Sequence, residues 1–89
     1  MIEVAAPIVN RLGLHARAAA KLVHLASTFD SDVFLVSNGE EVDAKSILGV
    51  LLLAAAQGMT VTIRTSGRDE QEAMNAITAL IANRFGEES

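Results

Sequence analysis

The chain has no cysteine, no tryptophan and no tyrosine, and its aromatic share is 3%. Without thiols it forms no disulfide, carries no thiolate nucleophile and builds no cysteine-ligated metal site, so its fold must stand on packing alone. Three phenylalanines supply few of the flat faces on which nucleic-acid binders stack bases. A formal net charge of -4 also opposes the phosphate attraction that dominates such binding. Nucleic acid is therefore not an expected partner.

Long apolar runs are missing as well. The longest, Ile47 to Ala56, is well short of the roughly 20 residues that span a bilayer, so no membrane insertion is expected. Glu3 interrupts the N-terminal apolar stretch, which excludes a secretory leader and makes a cytoplasmic location the default. What is present is 89 residues, 51% of them apolar, enough for a single domain over 1–89.

Periodicity assigns the elements. Ile2, Val4, Ala6 and Ile8 alternate as in a strand with one buried face, and Pro7 lies near its end. Beyond Gly13, Ala16, Ala19, Ala20, Leu22, Val23, Leu25 and Ala26 recur at helical spacing to about Ser27, with Phe29 folding under that helix. Asp32 to Val36 and Glu41 to Asp43 flank an Asn38-Gly39 pair, a hairpin signal. Ser46 precedes the apolar run as a helix cap, and Gly58 is expected to end that helix. Thr60 to Thr65 alternates as a half-buried strand. Asp69 and Glu72 have capping-box spacing before Ala73, Ala76, Ile77, Leu80, Ile81 and Phe85, which share one helical face that frays near Gly86. The order βαββαβα predicts an α+β open-faced sandwich: a four-stranded antiparallel sheet with three helices on one face.

One spot in this order is chemically pointed. His15 follows Asn10-Arg11-Leu12-Gly13-Leu14 and opens the first helix, with Arg17 in its first turn. A helix start exposes unpaired N–H groups and the positive end of the macrodipole, which favour an anion without help from a metal or cofactor. Imidazole titrates near neutral pH, so its neutral form is available as a nucleophile toward phosphorus. Taken alone, His15 would be an ordinary helix-start histidine, Arg17 a solvated cation and Ser46 an ordinary cap. His24 has no second histidine at metal-ligand spacing and reads as structural or surface. Met59 and Met74 read as core or gap-filling residues, and Lys45, Arg64 and Arg68 as solvated.

The segment Asn10-Arg11-Leu12-Gly13-Leu14-His15-Ala16-Arg17-Ala18-Ala19-Ala20-Lys21-Leu22 resembles the active-site segment of the HPr family, the histidine phosphocarriers of the phosphotransferase system. Ala44-Lys45-Ser46-Ile47-Leu48-Gly49-Val50 is similar to the segment that carries that family's regulatory serine. The separation of the two motifs, the length and the element order match too. The resemblance implies that Enzyme I, charged by phosphoenolpyruvate, phosphorylates Nδ1 of His15, which hands the group to an EIIA component. The chain would then be a transferred-group intermediate rather than a turnover enzyme. Such transfer needs alignment and charge neutralisation, which Arg17 and the backbone N–H groups of Ala16 and Ala18 can supply. Most members place proline where this chain has Ala18. Alanine restores an N–H but gives up the fixed φ that pre-sets a helix start.

In the same resemblance Ser46 is the regulatory site, the substrate of an HPr kinase/phosphorylase where the host has one. A phosphate there adds up to two negative charges and would repel an acidic partner such as Enzyme I. Ala20, Ile47, Leu48 and Leu51 match the partner-binding patch, and they either complete the core or form a dock. The acidic tail Gly86-Glu87-Glu88-Ser89 and the alanine-rich second helix are also similar to the nitrogen-related regulatory branch. A non-catalytic interaction module is the alternative of another class, although His15 and Arg17 are both present. A small-ligand domain would need convergent polar groups, and none cluster in the sequence.

Overall fold

A computed structural model describes residues 1–89. Strands β1 (Ile2–Pro7), β2 (Asp32–Ser37), β3 (Glu40–Asp43) and β4 (Thr60–Ser66) and helices α1 (Ala16–Ala26), α2 (Ile47–Leu53) and α3 (Glu70–Ala82) follow in the order expected, and a 3₁₀ turn covers Arg84–Gly86. The sheet runs β1-β4-β2-β3 with every pair antiparallel. Asn38 and Gly39 both have positive φ, 52° and 79°, the two-residue turn whose twist matches its flanking strands. The core lies between one face of the sheet and the helices. Val33, Leu35, Val61 and Ile63 from the strands meet Leu22 of α1, Val50 of α2 and Ile77 of α3, all fully buried. Each such aliphatic side chain contributes about 1.5–3 kcal/mol relative to leaving it in water. Buried Thr65 and Ser37 donate to the carbonyls of Glu70 and Thr60, so neither hydroxyl is stranded.

Several local expectations give way to tertiary contacts. The buried stripe of α1 is Ala18, Ala19, Leu22 and Ala26, which leaves Ala16 and Ala20 exposed. Ser46 does cap α2, its Oγ accepting from Gly49 N–H at 3.2 Å. That helix stops at Leu53, however, because Ala54 turns into the left-handed region at φ 52°. The turn frees the Ala55 carbonyl to accept Leu14 N–H at 2.9 Å and buries the Ala55 side chain. Phe85 is fully buried but does not belong to α3. It sits past the helix end at φ 54° and tucks under from the 3₁₀ turn. Lys45 and Arg64 are partnered rather than free: Lys45 Nζ donates to the Phe29 carbonyl, and Arg64 of β4 pairs with Glu3 of β1 and Glu41 of β3. Arg68 pairs with Asp30 at an exposed position. Met74 is buried as expected, and Met59 Sδ accepts from Ala56 N–H.

The capping box does not form. Asp69 makes no side-chain cap to α3 and instead ties two loops together, accepting from Ser31 Oγ at 2.5 Å, Ser31 N–H at 2.9 Å and Asp30 N–H at 3.0 Å. The Ser31 hydroxyl first, then the Asp30 N–H, hold its carboxyl down from 3.8 to about 2. A carboxylate depressed in the folded state adds stability above its unfolded pKa and loses it as pH falls through the folded one. Denaturant midpoints should therefore drop as pH is lowered from about 3.8 to about 2. Asp69→Asn should lower the midpoint at neutral pH and flatten that acid slope. Some slope will remain, since Glu70 and Glu87 are also held below their ordinary values. An unchanged slope in the variant would remove Asp69 from the acid response.

Candidate functional site

His15 occupies the N-cap of α1 with extended backbone, φ -71° and ψ 177°, and its side chain makes no capping bond. The first backbone bond of the helix runs from Ala19 N–H to the His15 carbonyl at 2.8 Å. The N–H groups of Ala16, Arg17 and Ala18 consequently have no backbone acceptor, the ordinary condition of a helix start. The Ala18 methyl, by contrast, is fully buried in the core.

The turn before the helix is locked from two sides. Gly13 has φ 63°, and its N–H donates to the Asn10 carbonyl at 3.2 Å. Asn10 is completely buried. Its Nδ2 donates to the Gly13 carbonyl at 2.8 Å and to Glu87 Oε1 at 3.1 Å. Because both neighbours are acceptors, only the amide nitrogen fits there, which fixes the orientation of the side chain. A Cβ on Gly13 would meet the Ala55 carbonyl oxygen at 2.5 Å and Ala56 Cα at 2.9 Å. The chain passes too close to the end of α2 for any side chain at this position.

The C-terminal residues complete the site. His15 Nε2 lies 2.5 Å from Glu87 Oε2, with 28% of the histidine side chain and 17% of the glutamate exposed. Glu87 is held below its ordinary carboxyl value, first by the hydrogen bond with His15 and then by that from Asn10, against a desolvation cost. An ionised carboxylate only accepts, so Nε2 is the ring nitrogen that donates to it, and in the neutral imidazole the lone pair is then on Nδ1. The tail is fastened around this contact. Lys21 Nζ donates to the Phe85 carbonyl at 2.6 Å, Arg11 N–H to the Ser89 carbonyl at 3.0 Å, and Arg84 to the Glu88 carbonyl at 2.7 Å. Asn10 opens the segment that precedes His15, but the sequence gives no sign that it reaches Glu87. The acidic tail was visible, but nothing in it pointed to a residue 72 positions away.

Around His15 the surface forms an open depression of ≈ 620 Å³ lined by Arg11, Leu12, His15, Ala16, Arg17, Glu87 and Ser89. Arg17 forms no ion pair within the chain, so its guanidinium fork is available to an anion beside the ring. A ring nitrogen, an arginine and the unpaired N–H groups of Ala16 and Arg17 in one depression can receive and hold a tetrahedral phosphoryl group. Beside this depression α2 packs against α1. Ile47, Leu48 and Leu51 are 43%, 64% and 38% exposed, and Ala20 is exposed too. Val50 and Leu53 turn inward instead. The patch residues therefore do not complete the core, and Leu52, 67% exposed, enlarges the apolar surface. Ser46 is also exposed, at the start of α2, and His24 is exposed in the last turn of α1. No helix is long and apolar enough to cross a membrane.

Comparison with known proteins points the same way. Residues 2–83 match the family described as PTS HPr component phosphorylation site. A phosphocarrier protein HPr of Cupriavidus necator is 61% identical over 87 residues, 98% of each chain. A phosphocarrier protein NPr of Shewanella violacea is 43% identical over 88 residues, 99% of this chain and 97% of that one. Among solved structures, HPr-C-His from Thermoanaerobacter tengcongensis superposes over 100% of both chains with a TM-score of 0.97 and 44% identity.

Proposed function

The chain belongs to the HPr family of phosphotransferase-system phosphocarriers, and from that premise we propose that it takes a phosphoryl group from phospho-Enzyme I onto His15 and passes it to an EIIA-type acceptor. The observation that carries this reading is the pairing of Nε2 with Glu87, which leaves Nδ1 as the nucleophile in a depression shared with Arg17. Arg17 and the N–H groups of Ala16 and Ala18 neutralise the arriving oxyanions, and their positions need no rearrangement as charge builds. No cofactor or metal takes part in this scheme, and the chain ends each cycle as it began. The sugar-uptake branch is favoured over the nitrogen-related one by 61% identity to an HPr against 43% to an NPr. Incubation with phosphoenolpyruvate and Enzyme I, followed by mass spectrometry, should give one acid-labile phosphoryl adduct that maps to His15. An adduct elsewhere, or none, overturns the reading. Presenting the phosphorylated protein to acceptors of each branch then identifies the recipient.

The exposed side chains of Ala20, Ile47, Leu48 and Leu51 serve in this proposal as the dock for both partners. Leu48→Glu should change folding stability by no more than about 0.5 kcal/mol, as exposed positions do. Removing an apolar contact at the centre of the patch and adding a charge should weaken Enzyme I binding by about ten-fold or more, read by titration calorimetry. Wild-type affinity in that variant would move the dock elsewhere. Ser46 lies at the edge of the same patch, beside Ile47, so its phosphorylation by an HPr kinase/phosphorylase would place negative charge against an acidic partner. The effect is on docking and leaves the fold intact.

A further inference from the structure

We infer that Glu87 is a positioning residue for phosphoryl transfer, holding a proton on Nε2 of His15 through the whole cycle so that Nδ1 serves unprotonated as nucleophile and uncharged as leaving group. The inference rests on the phosphocarrier reading and assigns a task to a residue that lies outside both recognised motifs. Three observations support it. Glu87 Oε2 is 2.5 Å from Nε2. Its other oxygen is held by Asn10, whose amide is buried and has only one workable orientation. The backbone on either side is pinned, by Lys21 at Phe85 and by Arg11 at Ser89. A carboxylate gripped at both oxygens and at both flanks is built to stay in place, as a group must if it is to set the direction of a ring.

The step balances without any proton moving. In the forward direction the Nδ1 lone pair forms the N–P bond while the bond between phosphorus and the donor atom of Enzyme I breaks, its electron pair leaving with the donor. The ring then carries phosphoryl on Nδ1 and hydrogen on Nε2, and has become cationic. The charge appears one ring width from the Glu87 carboxylate, where it is compensated in place. In onward transfer the Nδ1–P bond breaks, the pair returns to Nδ1 and the neutral ring is restored with its Nε2 proton still present. One fixed carboxylate therefore assists attack and departure alike, as a carrier working near equilibrium in both directions requires. The other charges facing this pair are Arg17, Arg11 and Lys21.

Two variants test it. Glu87→Gln keeps an oxygen near Nε2 and removes the charge, and Glu87→Ala removes both. Rapid-quench transfer between Enzyme I and the protein should slow by about ten-fold in both directions for Glu87→Ala and by several-fold for Glu87→Gln. The Enzyme I concentration giving half-maximal rate should not change, because the dock is elsewhere. In nitrogen-edited spectra the Nε2-bound proton of His15 should be protected from water exchange in the wild type and lost in Glu87→Ala. Wild-type rates in both directions for Glu87→Gln would reduce Glu87 to a tail anchor and overturn the inference, with wild-type adduct formation still standing. Absence of any His15 adduct in the wild type would remove the phosphocarrier reading and this inference with it.

Discussion

Gly13→Ala is expected to lower stability by about 2–4 kcal/mol and to slow phosphorylation of His15 at temperatures where the variant remains folded. Two costs combine. A residue with a Cβ at φ 63° loses about 1 kcal/mol relative to glycine. The larger part is steric, since the new methyl meets the Ala55 carbonyl oxygen at 2.5 Å, a backbone atom that cannot rotate aside. That carbonyl accepts Leu14 N–H, so relief of the clash must push the segment before His15 away from the end of α2. For a domain of this size the loss corresponds to a melting temperature lower by about 10–20 °C. Gly39→Ala is the matched control, with φ 79° and nothing within 4 Å of the added methyl, and should show the conformational cost alone. Equal melting temperatures for the two variants would refute the close approach at Gly13.

Phe85→Ala should be the most destabilising truncation in the molecule that leaves both sequence motifs untouched. Its side chain is the largest of those fully buried, and removal of a buried phenylalanine costs about 3–5 kcal/mol in transfer and cavity terms together. The backbone at Arg84 and Phe85 is held at φ 56° and 54°, and that strain is tolerated because the ring is anchored in the core. With the anchor gone, the turn has no reason to persist and Glu87 should leave His15. Chemical denaturation measures the first effect, and loss of exchange protection at the His15 Nε2 proton measures the second. Phe85→Leu should recover most of the stability and the contact. If Phe85→Ala unfolds with a near wild-type midpoint, the ring does not hold the tail.

What the sequence revealed and what it hid divide along a physical line. The start of α1 at His15, the Asn38-Gly39 turn and the Ser46 cap depend on residues within a few positions of one another, and local chemistry settles them. The end of α2 depends instead on Ala54 adopting φ 52°, a conformation alanine disfavours. It does so because the Ala55 carbonyl is claimed by Leu14 from a distant loop. Phe85 follows Ile81 by four positions, the helical spacing, yet burial is reached by folding back rather than by continuing α3. Asp69 and Glu72 had the spacing of a capping box, and the carboxylate went to Ser31 and Asp30. In the site, His15 and Arg17 were legible because they are neighbours in the chain. Glu87 was not, and Asn10 was legible only as part of a local turn with Gly13, since the grip of Asn10 on Glu87 and of Glu87 on His15 exists only once residues 77 and 72 positions apart lie side by side.

That long-range contact has a consequence for how the protein comes into being. His15 and Glu87 are 72 positions apart, so their contact closes a long loop, at an entropic cost that the sheet and helices must already have offset. On a ribosome the histidine emerges 72 residues ahead of the glutamate. A nascent or clipped chain lacking the segment after Phe85 could therefore display both recognised motifs while its histidine remained unaligned. The contact acts as a checkpoint: the imidazole is set in order only once Glu87 has been made and folded back against it.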